Sequence, residues 1–368
     1  MAINRVEIKD FLVFKGEFAL DFSPGVNVLI GGNGTGKTTL LKVLYRLCGN
    51  GKNRRTEEFF FAAGGWNGVF HAHPFEHLRM LADTGEDVFR ICVKSLLQSG
   101  LGEDEGGGDR VIVNGDWVLY NSNEFIDDYT LTQAAIYGDM QDELVFTSEN
   151  YMSLPSVFIP STNLLPQSRA LPEMINDYVM DFDAVHLDSI KNARRPITRS
   201  LKQNCSKVIG KLSSVIDGEV LYENDRFFIK KSSGLKVDFA MEASGFVRLG
   251  LLWKILRNGL LEPGTIFLWD ELENSLNPEL IPILVDILLE LSRNGVQIIL
   301  ATHSEILASY FSVTRQKNDK VMFTSLYKDS GQIKSEKNDR FDLLNPNNLT
   351  EEPVKLYERK LDRGLGGA

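Results

Sequence analysis

The chain has 368 residues, 43% of them hydrophobic and 24% charged, a globular balance with enough apolar material for a sizeable core. Its formal net charge of -10 argues against non-specific coating of nucleic acid, though not against a local basic patch. The cysteines Cys48, Cys92 and Cys205 are odd in number, far apart and outside any C-x-x-C spacing, which argues against a disulfide framework.

Length alone suggests two or three domains. The opening MAINRVEIKDF has no apolar run and no cleavage site of the signal-peptide kind. No stretch reaches the roughly 18 apolar residues of a membrane span. A soluble, cytoplasmic protein with no membrane partner is expected.

In chain order, IKDFLVF and EFALDF read as a hairpin turning at Lys15-Gly16, and Val26–Ile30 as an apolar strand ending at Gly31. Leu41, Leu44 and Leu47 then recur at helical spacing. Residues 49–75 are irregular. Helical signals are read near Phe75–Leu81 and a strand near Val88–Lys94. Glu103–Asp109, acidic and glycine-rich, reads as a loop tip. Ser156–Pro160 reads as a buried strand. From Pro172 to about Ile216 the pattern is helical, with Leu201, Cys205, Val208, Ile209 and Leu212 on one stripe.

Three short strands follow, EVLYE, RFFIKK and KVDFAM. Next come a helix at Ser244–Leu256, a strand at Thr265–Trp269, a helix at Pro278–Leu291, a strand at Gln297–Ala301 and a helix at Glu305–Phe311. This alternation predicts α/β layering with a largely parallel sheet. Val321–Lys328 and Gly331–Ser335 read as a terminal hairpin, and the final GLGGA as frayed.

Gly31-Gly32-Asn33-Gly34-Thr35-Gly36-Lys37-Thr38 fits G-x-x-x-x-G-K-[ST] between a strand and a helix. Glycines let backbone N–H groups converge on phosphate oxygens, and the helix adds orphan donors and the positive end of its dipole. Lys37 can bridge the β- and γ-phosphates of ATP, and Thr38 can ligate Mg²⁺. At ordinary residue frequencies the pattern arises by chance in about one chain in a hundred of this length, so a glycine-rich turn with a stray lysine is the weaker reading.

The strand IFLW ends in Asp270 and Glu271, which places two acids at the carboxyl edge of a sheet. Asp270 would hold Mg²⁺ and Glu271 would polarise the attacking water as general base. The plain alternative is the acidic first turn of a helix. IILATHS likewise delivers His303 to a strand's carboxyl end, within reach of a γ-phosphate. Alone, such a histidine means little.

In order and spacing, GGNGTGKT, ASGFVR, IFLWDELENSLNP and ATHS resemble the ABC-type ATPase heads of the SMC/RecF/OLD-like superfamily, over essentially the whole chain. The resemblance implies a P-loop NTPase of ABC-ATPase type: a mixed β-sheet with flanking helices, an antiparallel N-terminal β-subdomain and a helical insertion. It implies one head over 1–368, with an N-terminal lobe at 1–160, a helical insertion or lid at 161–217 and a C-terminal lobe at 218–368. It assigns ATP binding to Gly31, Asn33, Gly34, Thr35, Gly36, Lys37, Thr38 and Thr39, Mg²⁺ to Thr38 and Asp270, and catalysis to Lys37, Glu271 and His303.

Ala243–Arg248 would be the signature, whose Ser244 and Gly245 meet the γ-phosphate held by a second copy. ATP would then drive homodimerisation. From the residues alone, Ser244-Gly245 is simply a helix cap. The signature lacks the second glycine and the glutamine of LSGGQ, and Asn277 stands where many relatives carry histidine. Gln98, Gln133 and Gln141 leave the glutamine loop unplaced.

The interval from Thr38 to Ser244 shows no sustained heptads, so no long coiled-coil arm is expected. The segment after His303 is too short for an added nuclease domain. A stand-alone ATPase head is therefore expected, working with a separate effector such as a nuclease or toxin in bacterial anti-phage defence or DNA repair. A transporter nucleotide-binding subunit and a nucleotide-gated scaffold are the competing readings.

Lys191, Arg194, Arg195, Arg199, Lys202, Lys207 and Lys211 fall in 190–211 with no acid among them. They offer a phosphate-backbone contact for nucleic acid. The alternative is a solvated face balanced by acids elsewhere. His71, His73 and His77 form an unframed cluster that makes weak evidence for zinc. Arg54 and Arg55 could meet phosphate or serve as surface charge.

Overall fold

The computed structural model describes residues 2–48, 154–169, 184–198 and 203–366, together with strand backbones at 77–82, 87–95, 101–103, 109–113, 116–120, 134–135 and 142–146. A six-stranded mixed sheet organises the molecule. Its strands are β3 (Val26–Gly31), β11 (Ser156–Ile159), β15 (Ile266–Trp269), β16 (Gln297–Ala301), β17 (Val321–Asp329) and β18 (Gln332–Asn338), in the order β11, β15, β16, β3, β17, β18. All pairings are parallel except the last, β17 with β18. The parallel strands β3, β11, β15 and β16 are mostly apolar and buried at every residue because both faces are covered, whereas the antiparallel edge strand β18 is polar and largely exposed.

Period-two alternation divides each strand between two cores. Val28, Ile30, Phe267, Trp269, Ile298 and Leu300 join one core, with the helices α4 (Ser244–Arg257), α5 (Ile281–Arg293) and α6 (Glu305–Thr314). Leu29, Ile266, Leu268, Ile299 and Ala301 join the other, with α1 (Lys37–Leu47) and the first hairpin.

That hairpin, β1 (Ile3–Phe11) and β2 (Phe14–Asp21), opens a second six-stranded sheet. The sheet continues with β4 (His77–Ala82), β5 (Asp87–Ser95), β10 (Asp142–Phe146) and β9 (Ala134–Ala135), and every pairing in it is antiparallel. One side chain joins the two sheets. Gln297 Oε1 accepts Ile3 N–H at 2.7 Å, and Gln297 Nε2 donates to Ile3 O and Ser23 O, each at 2.8 Å.

The remaining strands form two small antiparallel sheets: β6 (Leu101–Glu103), β7 (Asp109–Val113) and β8 (Asp116–Tyr120), and β12 (Gly218–Glu223), β13 (Arg226–Lys231) and β14 (Lys236–Asp238). Helices α2 (Ala184–Arg194) and α3 (Gln203–Val215) precede β12. α7 (Asn348–Gly366) follows β18.

Four expectations need correction. The helical signals at Phe75–Leu81 fall on strand β4, because β1 and β5 pair with it on either side and decide its state over local spacing. The hairpin of β17 and β18 is followed by α7 and so is not terminal, and the segment read as frayed is helical through Gly366. The helix begun at Pro278 first makes a 3₁₀ turn at Pro278–Leu280, capped by Asn277 Oδ1 accepting Glu279 N–H at 3.2 Å. Expectations resting on Arg54, Arg55, His71, His73, Gln98, Gln133, Gln141, Arg199, Leu201 and Lys202 lie outside the described residues.

Candidate active site

The loop from Gly31 to Thr38 leaves the carboxyl end of β3 and enters α1. Its shape depends on two glycines. Gly36 has φ 91°, and a Cβ there would lie 2.7 Å from Phe14 Cζ. A Cβ on Gly31 would lie 2.2 Å from the carbonyl oxygen of Leu326. No side chain but hydrogen fits either place. Thr35 Oγ1 donates to Gly32 O at 2.9 Å and braces the turn. Asn33, Gly34 and Thr38 are exposed and Thr39 is half-buried.

The Lys37 ammonium is buried and donates to Gly31 O at 2.8 Å and Gly32 O at 3.0 Å. Burial lowers its pKa, while Asp270, Glu271 and Glu273 oppose that shift. The lysine therefore sits over the loop within the field of three carboxylates.

Thr38 Oγ1 donates to Asp270 Oδ2 at 2.9 Å. Asp270 is 2% exposed, and burial pushes its pKa up, against the Thr38 hydrogen bond. Its second oxygen, Oδ1, is buried and has no hydrogen-bond partner among the described residues. A buried carboxylate oxygen without a donor is costly unless something cationic meets it. A hydroxyl and a carboxylate are oxygen donors of the kind Mg²⁺ takes, so Thr38 and Asp270 fit that ion.

Glu271 follows with φ 44°, a left-handed backbone that is sparsely populated for residues other than glycine. Ser275 repeats this at φ 64°. The tight loop between them is closed by Asn274 N–H to Glu271 O at 2.9 Å and Leu276 N–H to Glu273 O at 3.0 Å.

His303 leaves the end of β16 just ahead of α6, an exposed residue whose imidazole is nonetheless partly desolvated by its neighbours. Desolvation lowers its pKa first and Lys37 second, against Glu273 and Glu271. Lys37, Thr38, Asp270, Glu271 and His303 are thus brought together at one sheet edge.

Ser244 and Gly245 open α4. Ala243 is the cap and makes no side-chain hydrogen bond, so Ser244 does not act as the capping residue. Ser244 is exposed and Gly245 is buried. A Cβ on Gly245 would come within 2.8 Å of Ser275 O, so this helix end packs directly on the loop after Glu271.

Two residues that sequence reasoning placed within motifs but gave no role of their own hold this arrangement. Arg248 is buried, and donates to Ser161 O at 2.6 Å, Asp270 O at 3.2 Å and Pro160 O at 3.3 Å. Burial lowers its pKa to about 10. Glu273 accepts Thr302 Oγ1–H at 2.8 Å and His303 N–H at 2.6 Å. A signal for it existed: a third carboxylate beside Asp270 and Glu271 crowds like charge, and must answer to nearby donors.

The basic stretch is only partly paired with acids where it is described. Lys207 and Lys211 reach Glu290 at 3.7 and 3.1 Å, and Lys191 reaches Asp188 at 3.9 Å. Arg194 donates to Ser168 O at 2.9 Å and lies over the Tyr222 ring. Arg195 is exposed. Among the described residues no group of histidines, cysteines and acids is arranged to hold a metal as a cluster, and no helix is long and apolar enough to cross a membrane.

A family model described as "AAA domain, putative AbiEii toxin, Type IV TA system" matches residues 121–309. Another, described as "AAA ATPase domain", matches residues 1–99. The first match covers just over half of the chain, so this protein belongs to that AAA family. The chain is 43% identical over 54 residues to the DNA replication and repair protein RecF of Heliobacterium modesticaldum, a stretch that spans 15% of this chain and 14% of that protein.

Several solved structures align at 14% identity, among them two SMC heads. The SMC head domain from Thermotoga maritima covers 92% of this chain and 99% of its own, with a TM-score of 0.44. The Smc head domain with an extended coiled coil, bound to the C-terminal domain of ScpA and derived from Pyrococcus furiosus, covers 97% and 99%, with a TM-score of 0.44.

Proposed function

We propose that this chain binds ATP with Mg²⁺, dimerises around it and hydrolyses it, and that hydrolysis controls a separate effector such as a nuclease or toxin, or nucleic-acid sensing, in bacterial anti-phage defence or DNA repair. The observation that carries the reading is the convergence of Lys37, Thr38, Asp270, Glu271 and His303 at the carboxyl edge of β3, β15 and β16. The loop amides and Lys37 hold the phosphates, and Glu271 takes the proton of the attacking water. His303 donates a hydrogen bond to the γ-phosphate or orients the water.

Thr38 and Asp270 would hold Mg²⁺, which when bound neutralises charge on the phosphate oxygens. Ser244 and Gly245 complete the site of a second copy. The exposure of Ser244 at a helix N-terminus that it does not cap supports this. Residues 1–368 act as one head, with lobes at 1–160 and 218–368 and an insertion at 161–217.

The family description, which names a toxin of a toxin–antitoxin system, favours control of an effector. The RecF relative's name favours repair. Phosphate release from ATP, measured with and without Mg²⁺ alongside the mass in solution, tests the reading. No turnover and no ATP-dependent doubling of mass would remove it.

A further inference from the structure

We propose that Glu273 is a positioning residue: its carboxylate clamps the His303 backbone to the loop after Glu271, so that His303 and the N-terminus of α4 move together. This deepens the ATPase reading above and rests on it.

The clamp uses both carboxylate oxygens. Oε1 accepts His303 N–H at 2.6 Å and Oε2 accepts the Thr302 hydroxyl at 2.8 Å. Thr302 Oγ1 in turn accepts Ser304 N–H at 2.9 Å, and Ser304 Oγ accepts Leu307 N–H at 3.2 Å as the cap of α6. Beyond the Thr302 N–H bond to Leu29 O at 3.0 Å, which continues the sheet, the side-chain bonds of the turn carrying His303 converge on one carboxylate.

The far side of the loop is held just as closely. Gly245 packs on Ser275 O and Leu276, Asn274 Nδ2 donates to Ser161 O at 3.4 Å, and Arg248 holds the Asp270 carbonyl. Between these anchors, Glu271 and Ser275 stand in left-handed backbone. Such residues persist only where their surroundings over-determine them. A loop with two strained residues and anchors at both ends has little slack. A displacement of α4 is passed to His303 instead of being absorbed.

A carboxylate suits this place because both partners are donors. Glutamine offers one acceptor oxygen and turns an NH₂ group toward a second donor. Charge-assisted bonds of this kind are also the stronger ones.

The test compares Glu273→Gln, His303→Ala and the double variant in the full chain. Glu273→Gln should lower kcat by about 10- to 100-fold, as misplacement of a catalytic group by about 1 Å does, with KM for ATP within about twofold of wild type. The double variant should be no worse than His303→Ala alone, because both changes act through one group. Thr302→Val should lower kcat and Thr302→Ser should restore it. If Glu273→Gln fails to fold, this hydroxyl pair decides the matter.

Amide hydrogen exchange at His303 reads the clamp without any turnover. It should quicken in Glu273→Gln while the interior of α6 stays protected. Wild-type kcat in Glu273→Gln, or multiplied losses in the double variant, would overturn the clamp and leave the ATPase reading intact. Wild-type protein with no turnover would sink the ATPase reading, and unchanged exchange at His303 would then overturn the clamp as well.

Discussion

The Thr38 hydroxyl meets Asp270 Oδ2 at 2.9 Å across 232 residues of sequence. This single contact joins the first turn of α1 to the end of β15 and leaves Asp270 Oδ1 buried without a donor among the described residues. Asp270→Asn and Thr38→Ala should each lower ATP turnover by about 100-fold or more, the scale of removing one electrostatic support from a charged transition state. A magnesium titration read by phosphate release checks this. Turnover in Asp270→Asn that matches wild type at every magnesium concentration would refute it.

Glu271→Gln should lower turnover by about 10² to 10⁴, the range of a lost general base, while ATP still binds. Light scattering should then find the chain at twice its monomer mass with ATP and at monomer mass without it. A variant as fast as wild type would strip Glu271 of its role.

Gly36→Ala should destabilise the chain and abolish nucleotide binding. It adds a Cβ 2.7 Å from Phe14 Cζ and 2.9 Å from Val13 Cγ2, at φ 91°. Gly331→Ala makes a fair control, since φ is 82° there but nothing lies within 4 Å of the added carbon. Backbone strain alone costs about 1–2 kcal/mol, and the clash at Gly36 should add to it. Urea denaturation compares the two, and equal losses would contradict the packing argument.

The pH dependence follows from His303, whose folded pKa lies below the ordinary 6.5 because of burial and Lys37. A lowered imidazole pKa favours the neutral form in the folded chain, so the unfolded chain takes up its proton first as pH falls. Its contribution to stability is complete above 6.5 and is lost as pH falls from 6.5 toward the folded pKa. The acid limb of turnover due to His303 should lie below 6.5. A wild-type profile falling at or above 6.5, and flattened in His303→Gln, would contradict this.

Neutralising Arg194, Arg195 and Arg199 together should weaken nucleic-acid binding and reduce its salt dependence. The Glu290 pairs with Lys207 and Lys211 leave these lysines less to give. Filter binding over a salt series checks it, and unchanged affinity would remove nucleic acid from this face.

The phosphate loop and the acids after β15 were legible because each is local: glycines at fixed offsets, and an apolar strand ending in charge. The parallel sheet was legible because its inner strands are short, mostly apolar runs alternating with helical patterns. β4 was misread because its neighbours, not its own spacing, make it a strand. The holding roles of Arg248 and Glu273 escaped because their partners are backbone groups and a hydroxyl brought close only by folding. Nothing in ASGFVR says that its arginine will hold the Asp270 carbonyl.

The strand order also sets a timetable. β3 carries the phosphate loop and is buried at all six residues, yet its neighbours on either side are β16 and β17. On a ribosome adding about 5–20 residues per second, roughly 14–54 s separate the synthesis of β3 from that of β16. Ile3 waits as long for Gln297. Until then the apolar run VNVLI has no sheet to enter, and the nascent chain should need shielding by a chaperone. Nucleotide binding should therefore arise late and abruptly in synthesis, so a truncated translation product would carry the loop's sequence without its function.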